Sequence, residues 1–119
     1  MTLQQPIDAA LRELREETGY CSESAFYAGS EWWAANSSRR KHLVIAANAS
    51  ERFEAAWDDS ESGHVRLLPI SELMDFLVSG ELTDAGLACR GLAALARSDP
   101  ETEVLEGLRD SVRKIFMSR

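Results

Sequence analysis

The stretch "LRELREETGY", residues 11–20, carries five charged side chains in ten positions. It sits inside a segment that reads as a helix from Pro6 to Thr18. Proline suits the first turn, where its missing N–H would have no partner anyway. Ile7, Ala10, Leu11 and Leu14 recur at helical spacing and form one apolar stripe, and Gly19 supplies the left-handed residue that commonly ends a helix. Residues on a helix advance about 100° each, so Glu13, Glu16 and Glu17 fall within an arc of roughly 100° beside that stripe. Two readings suit such a face. It is a solvated surface, with Arg12 paired to Glu16 one turn on and Arg15 offsetting charge nearby. Alternatively it is a hard-metal site, because magnesium takes a few carboxylates, keeps several waters and spends the rest of its coordination on substrate phosphates.

Downstream, "SAFYAGSEWW" (24–33) and "HLVIAANA" (42–49) have strand character and are separated by the polar "NSSRRK". Residues 50–63, "SERFEAAWDDSESG", read as a mobile acidic loop. "HVRLLPI" (64–70) alternates like a half-buried strand that Pro69 stops. From Ser71 the pattern turns helical: Ser71 can cap "ELMDFLVS", Gly80 can close it, and Thr83 or Asp84 can open "AGLACRGLAALAR". Asp99-Pro100 starts a last helix running to about Met117, with Leu105, Leu108, Val112 and Ile115 on one face. Helix, strands, then helices, with no repeat and no Gly/Ser-rich linker, predicts one α/β domain.

Composition sets the outer limits. At 119 residues the chain buries roughly two-thirds of its unfolded surface as one domain. Its 20 acidic residues outnumber 13 basic ones, giving a net charge of -7, which argues against a nucleic-acid partner because phosphate backbones need a basic surface. The opening residues contain no basic stretch followed by an apolar run, and no later segment approaches a membrane-spanning length, so no membrane partner is expected. Cys21 and Cys89 stand in no zinc or disulfide spacing and read as reduced thiols of a cytoplasmic protein.

The contiguous string "RELREETGY", Arg12 to Tyr20, resembles the second half of the Nudix box, R-E-U-x-E-E-x-G-U with U a bulky apolar residue. "AFYAGSEWW", "HLVIAANA" and "HVRLLPISELMDFLVSGELTDAGLACRGLAALA" are similar, in their order, to Nudix hydrolases of the ADP-ribose pyrophosphatase-like subgroup. The resemblance covers roughly Gln4 to Arg97. It implies a Nudix-like mixed sheet packed between helices, an incomplete Nudix domain over 1–97 and an added amphipathic helix over 98–119. Gln4 stands where the family carries a glutamate, and no glycine precedes Gly19, so the first half of the box and the opening strands are absent. A start that belongs further upstream, strands supplied by a second subunit, or a degenerate binding domain would each explain this. A sheet edge left bare by missing strands invites pairing, so a homodimer is expected. The face from Leu105 to Ile115 packs either between subunits or over its own sheet.

The resemblance further implies magnesium-dependent hydrolysis, with manganese as a substitute, of a nucleoside diphosphate derivative such as ADP-ribose. Glu13, Glu16 and Glu17 would hold the metal, Arg12 would orient a ligand glutamate, and Glu61, from an acidic loop that also offers Glu54, Asp58 and Asp59, would be the general base. Trp32 could stack a base, although adjacent strand residues face opposite ways, so only one of Trp32 and Trp33 could do so. Arg39 and Arg40, beside Lys41, could meet phosphates or simply be solvated. His42 and His64 have no partner in sequence and read as structural or surface groups. A catalytically degenerate domain that kept the fold for ligand binding or assembly is the alternative, and a helical interaction module built on the C-terminal face is a third.

Overall fold

The computed structural model describes residues 2–57 and 63–117. Helix α1 spans Gln4–Thr18, two residues longer at its start than the proline predicts. Pro6 therefore lies in the first turn, where no backbone N–H is needed, and the Gln4 side chain donates to Asp8 Oδ1 at 2.7 Å. Gly19 ends the helix at φ 77°, its N–H bonded to the Arg15 carbonyl at 2.8 Å. The two longer strands are β2 (Ser24–Trp32) and β3 (Arg40–Ala47), paired antiparallel as a hairpin. Asn48, at φ 53°, takes a left-handed conformation at the end of β3.

Two short strands escaped the sequence reading. β1 (Tyr20–Cys21) follows Gly19 directly and pairs antiparallel with β4 (Ser50–Glu51), at the start of the segment expected to be loop. Conversely, residues 64–69 form no strand and run as an irregular segment into a 3-10 turn at Ile70–Glu72. Alternation of side chains is only half of a strand, and the ladder needs backbone partners on another strand, which this segment does not engage among the described residues. Without it the sheets among the described residues are two antiparallel pairs, β1–β4 and β2–β3, in place of the expected mixed sheet. The architecture is mixed α/β, with four helices around small antiparallel sheets among the described residues.

The remaining helices are α2 (Leu73–Val78), α3 (Ala85–Arg97) and α4 (Glu103–Met117). Ser71 makes no side-chain cap and lies in the 3-10 turn ahead of α2. Asp84 precedes α3 at φ 63°, and its carboxylate takes the Lys41 ammonium at 2.6 Å instead of capping. Thr102 begins α4, its hydroxyl accepting from the Leu105 N–H at 3.3 Å.

The core is one-sided. Ala28, Ala47, Leu87, Leu95, Leu105 and Val112 are its buried apolar residues between the hairpin and the α3–α4 pair, with Leu77 of α2 added. Gly91 of α3 faces the sheet so closely that a Cβ there would stand 3.0 Å from that of Ala28 and collide with the end of Leu43. The stripe expected on α4 is occupied within the chain: Leu105 and Val112 are buried, and Leu108 and Ile115 are half-buried. By contrast the apolar stripe of α1 is only half-buried against β3, so the opposite face of the hairpin is thinly covered. That is where the cleft opens.

Candidate functional site

A cleft of about 500 Å³ lies between α1, β3 and residues 65–67, inside the size range of small-molecule sites. Its walls are assigned by periodicity. On α1, Ala10, Leu14 and Thr18 line it together with Glu13 and Glu17, and on β3 the residues two apart, His42, Val44 and Ala46, face it. Val65 and Leu67 supply the apolar rim, and Tyr20 stands at the end of α1. A second cleft, about 530 Å³ between the 3-10 turn, α2 and α4, has similar volume but only Asp75 and Lys114 as charged groups. Chemistry, not size, distinguishes the first.

The end of α1 is held by backbone bonds. Arg52 and Phe53 both donate N–H to the Gly19 carbonyl, at 3.0 and 3.1 Å, and the Ala56 N–H bonds to the Glu16 carbonyl. The Thr18 hydroxyl donates to the Leu14 carbonyl and accepts from the Tyr20 N–H. Carbonyls that a helix terminus leaves free are thereby satisfied, and the string from Arg12 to Tyr20 has one fixed shape.

Within that string the three glutamates divide. Glu13 and Glu17, one turn apart, both line the cleft, and among the described residues neither is in an ion pair. Like charges at this spacing repel by a few tenths of a kcal/mol, a cost that a bound cation removes. Glu16 turns the other way, with its carboxylate 4.0 Å from Arg12 Nε and both side chains largely exposed. Among the described residues no group of three or more acidic, histidine or cysteine side chains converges in metal-ligand geometry. The residues fit magnesium as a two-carboxylate site, since that ion commonly uses one or two protein carboxylates together with waters and phosphates. The Arg12–Glu16 contact is itself weak, since an exposed pair of this kind contributes about 0.3–0.5 kcal/mol.

The other sequence candidates lie elsewhere. Trp32 and Arg40 pair across the tip of the hairpin, the guanidinium 4.4 Å from the ring and its Nε bonded to Ser30 Oγ at 2.9 Å. Trp33 is flanked by Arg39 at 5.0 Å and Lys41 at 5.1 Å. Both tryptophans are more than half exposed, and neither they nor Arg39 and Arg40 line the cleft. Glu61, with Asp58 and Asp59, lies outside the described residues, whereas Glu54 is exposed on the segment that follows β4.

His42, which the sequence offers only as a structural or surface group, lines the cleft. Its Nδ1 is 2.7 Å from the Tyr27 hydroxyl, across the hairpin. The period-two series His42, Val44, Ala46 signals a shared face, but which face depends on register. A bulge between Tyr27 and Gly29 sets it: Tyr27 pairs with Val44 while Gly29 already pairs with Leu43, so Ala28 is the additional residue. Gly29 takes φ 120° there, which favours glycine. Comparison with known proteins finds no matching family model, curated protein or solved structure. Among the described residues no helix is long and apolar enough to cross a membrane.

Proposed function

We propose that the chain is a Nudix-type hydrolase that cleaves the diphosphate of a nucleoside diphosphate derivative, ADP-ribose first among them, with magnesium or manganese as cofactor. The observation that carries this reading is the pair Glu13 and Glu17 on the wall of a cleft, within the motif-like string that Gly19 terminates. Bound there, magnesium would supply charge neutralisation for the diphosphate and activation of water. Glu13 and Glu17 would hold the ion. Arg12 keeps Glu16 oriented through the contact at 4.0 Å. Leu14, Val44, Val65 and Leu67 give the cleft an apolar lining beside the two carboxylates.

Incubation of the purified protein with ADP-ribose and magnesium, beside a Glu17→Gln variant, tests the proposal. Release of AMP by the unmodified protein and its loss in the variant is the expected result. Equal release from both would refute the assigned site.

A second reading, a non-catalytic ligand-binding or assembly domain of the same fold, is favoured by one observation: Gln4, at the position of a family glutamate, is bonded to Asp8 and does not line the cleft. Calorimetric titration with magnesium separates the two, since this reading predicts no binding at α1. The active form proposed is a cytoplasmic homodimer. Both outer edges of the β2–β3 hairpin lack a ladder partner among the described residues, and Cys21 and Cys89 are free thiols, as in a reducing compartment. Light scattering at the concentrations used for the assay checks the dimer.

A further inference from the structure

The cleft has two chemically different walls. On α1 stand the carboxylates of Glu13 and Glu17, which repel any phosphate unless a cation intervenes. On β3 the polar side chain is His42, and among the described residues no arginine or lysine lines the cleft. Among the described residues the other titratable side chains around the imidazole are the phenols of Tyr20, on the cleft wall, and Tyr27, its neighbour across the hairpin.

The contact with Tyr27 decides what His42 can do. The two rings are 5.8 Å apart between centroids and tilted by 50°, so they meet through the bond from hydroxyl to Nδ1 and not by stacking. Phenolic O–H is a good donor and a neutral imidazole nitrogen a good acceptor, so the pair is best satisfied with Tyr27 donating to Nδ1. The neutral ring then carries its proton on Nε2, and among the described residues no protein group bonds that nitrogen.

We propose that His42 is a ligand-contacting residue of this cleft, donating Nε2–H to a phosphate oxygen of a diphosphate-containing ligand, with Tyr27 as the positioning residue that fixes the tautomer. The choice of a diphosphate rests on the proposed function. The division of labour follows from the walls: the α1 side takes the cation, and the β3 side takes the anion directly. In this tautomer His42 is a hydrogen-bond donor and not the general base.

The test is nitrogen-15 NMR of the histidine side chains together with calorimetry, using magnesium pyrophosphate as the probe. The free protein should show His42 protonated on Nε2, and saturation with the probe should move that resonance. Affinity should fall roughly tenfold in His42→Ala, the effect of losing one hydrogen bond to a charged group. It should recover in part in His42→Gln, whose amide can also donate. Tyr27→Phe keeps the ring packing and should mix the tautomers while weakening binding less, and it carries the test if His42→Ala fails to fold. An Nδ1-protonated His42, or affinity unchanged in His42→Ala, overturns this inference and leaves the proposed function standing. Failure of the unmodified protein to bind magnesium pyrophosphate overturns both.

Discussion

The backbone of Phe53 lies where a side chain at position 19 would have to stand: a Cβ built on Gly19 collides with the Phe53 carbonyl oxygen. Gly19 also sits at φ 77°, so the position excludes other residues twice, once by conformation and once by contact. Replacement by alanine should lower stability by at least about 2 kcal/mol, because strain and a backbone clash add. A lower urea midpoint with an unchanged slope would show it. An unchanged midpoint would mean that Phe53 is not held against the helix end.

Gly91 and Gly107 are both helical glycines with opposite surroundings. Gly91 is pressed against Ala28 and Leu43, so Gly91→Val should cost about 1–3 kcal/mol from overpacking. Gly107 has open space around its missing Cβ, so Gly107→Ala should stabilise by roughly 0.5–1 kcal/mol through helix propensity. Thermal unfolding of the two variants should shift in opposite directions.

Metal affinity should separate the glutamates. Glu13→Gln and Glu17→Gln should each weaken magnesium binding by roughly tenfold or more, since even partners that only orient a ligand contribute that much. Glu16→Gln should have a smaller effect, because its carboxylate is turned to Arg12 in the resting arrangement. Calorimetry at constant ionic strength measures all three, and equal losses would mean that Glu16 is a full ligand from the outset.

Val112 is 1% exposed, in the interface that α4 makes with the rest of the fold. Val112→Ala should cost roughly 2 kcal/mol, as cavity-forming core truncations do. Denaturation followed by both tryptophan fluorescence and circular dichroism should remain one coincident transition. Two separate transitions would mark α4 as a unit apart.

Trp32 should prove dispensable for the cleft. Its ring is 57% exposed at the hairpin tip, so Trp32→Ala should change stability by no more than about 0.5 kcal/mol and leave magnesium pyrophosphate binding intact. Loss of binding in this variant would mean that the tip reaches a site, its own or another copy's.

Helix α1 was legible because its signals are local: a stripe at helical spacing, a proline in the first turn and a glycine at the end. The hairpin strands were legible for the same reason, apart from a shift of two residues at the ends of β3. The short β1–β4 pair was not, since its strands are two residues each and only their partners make them strands. Residues 64–69 misled in the opposite sense, showing the alternation of a strand without a ladder to join. For the cleft, the order of residues placed three glutamates on one helix face and offered Arg12 as a partner for Glu16 at i, i+4, but the presence of His42 opposite Glu13 and Glu17 depended on strand register.

The sequence by itself determined the composition class, the positions of the long elements and the acidic string with its terminating glycine, because each follows from neighbours along the chain. Only the tertiary structure decided which glutamates face the cleft, that the hairpin tip with Trp32 and Arg40 does not, and that Tyr27 meets His42. Those relationships rest on one additional residue at the Ala28 bulge and on which face of the hairpin each helix covers. Which face of the hairpin each helix covers is set by long-range packing, and a one-residue change of register exchanges the side chains on the two faces.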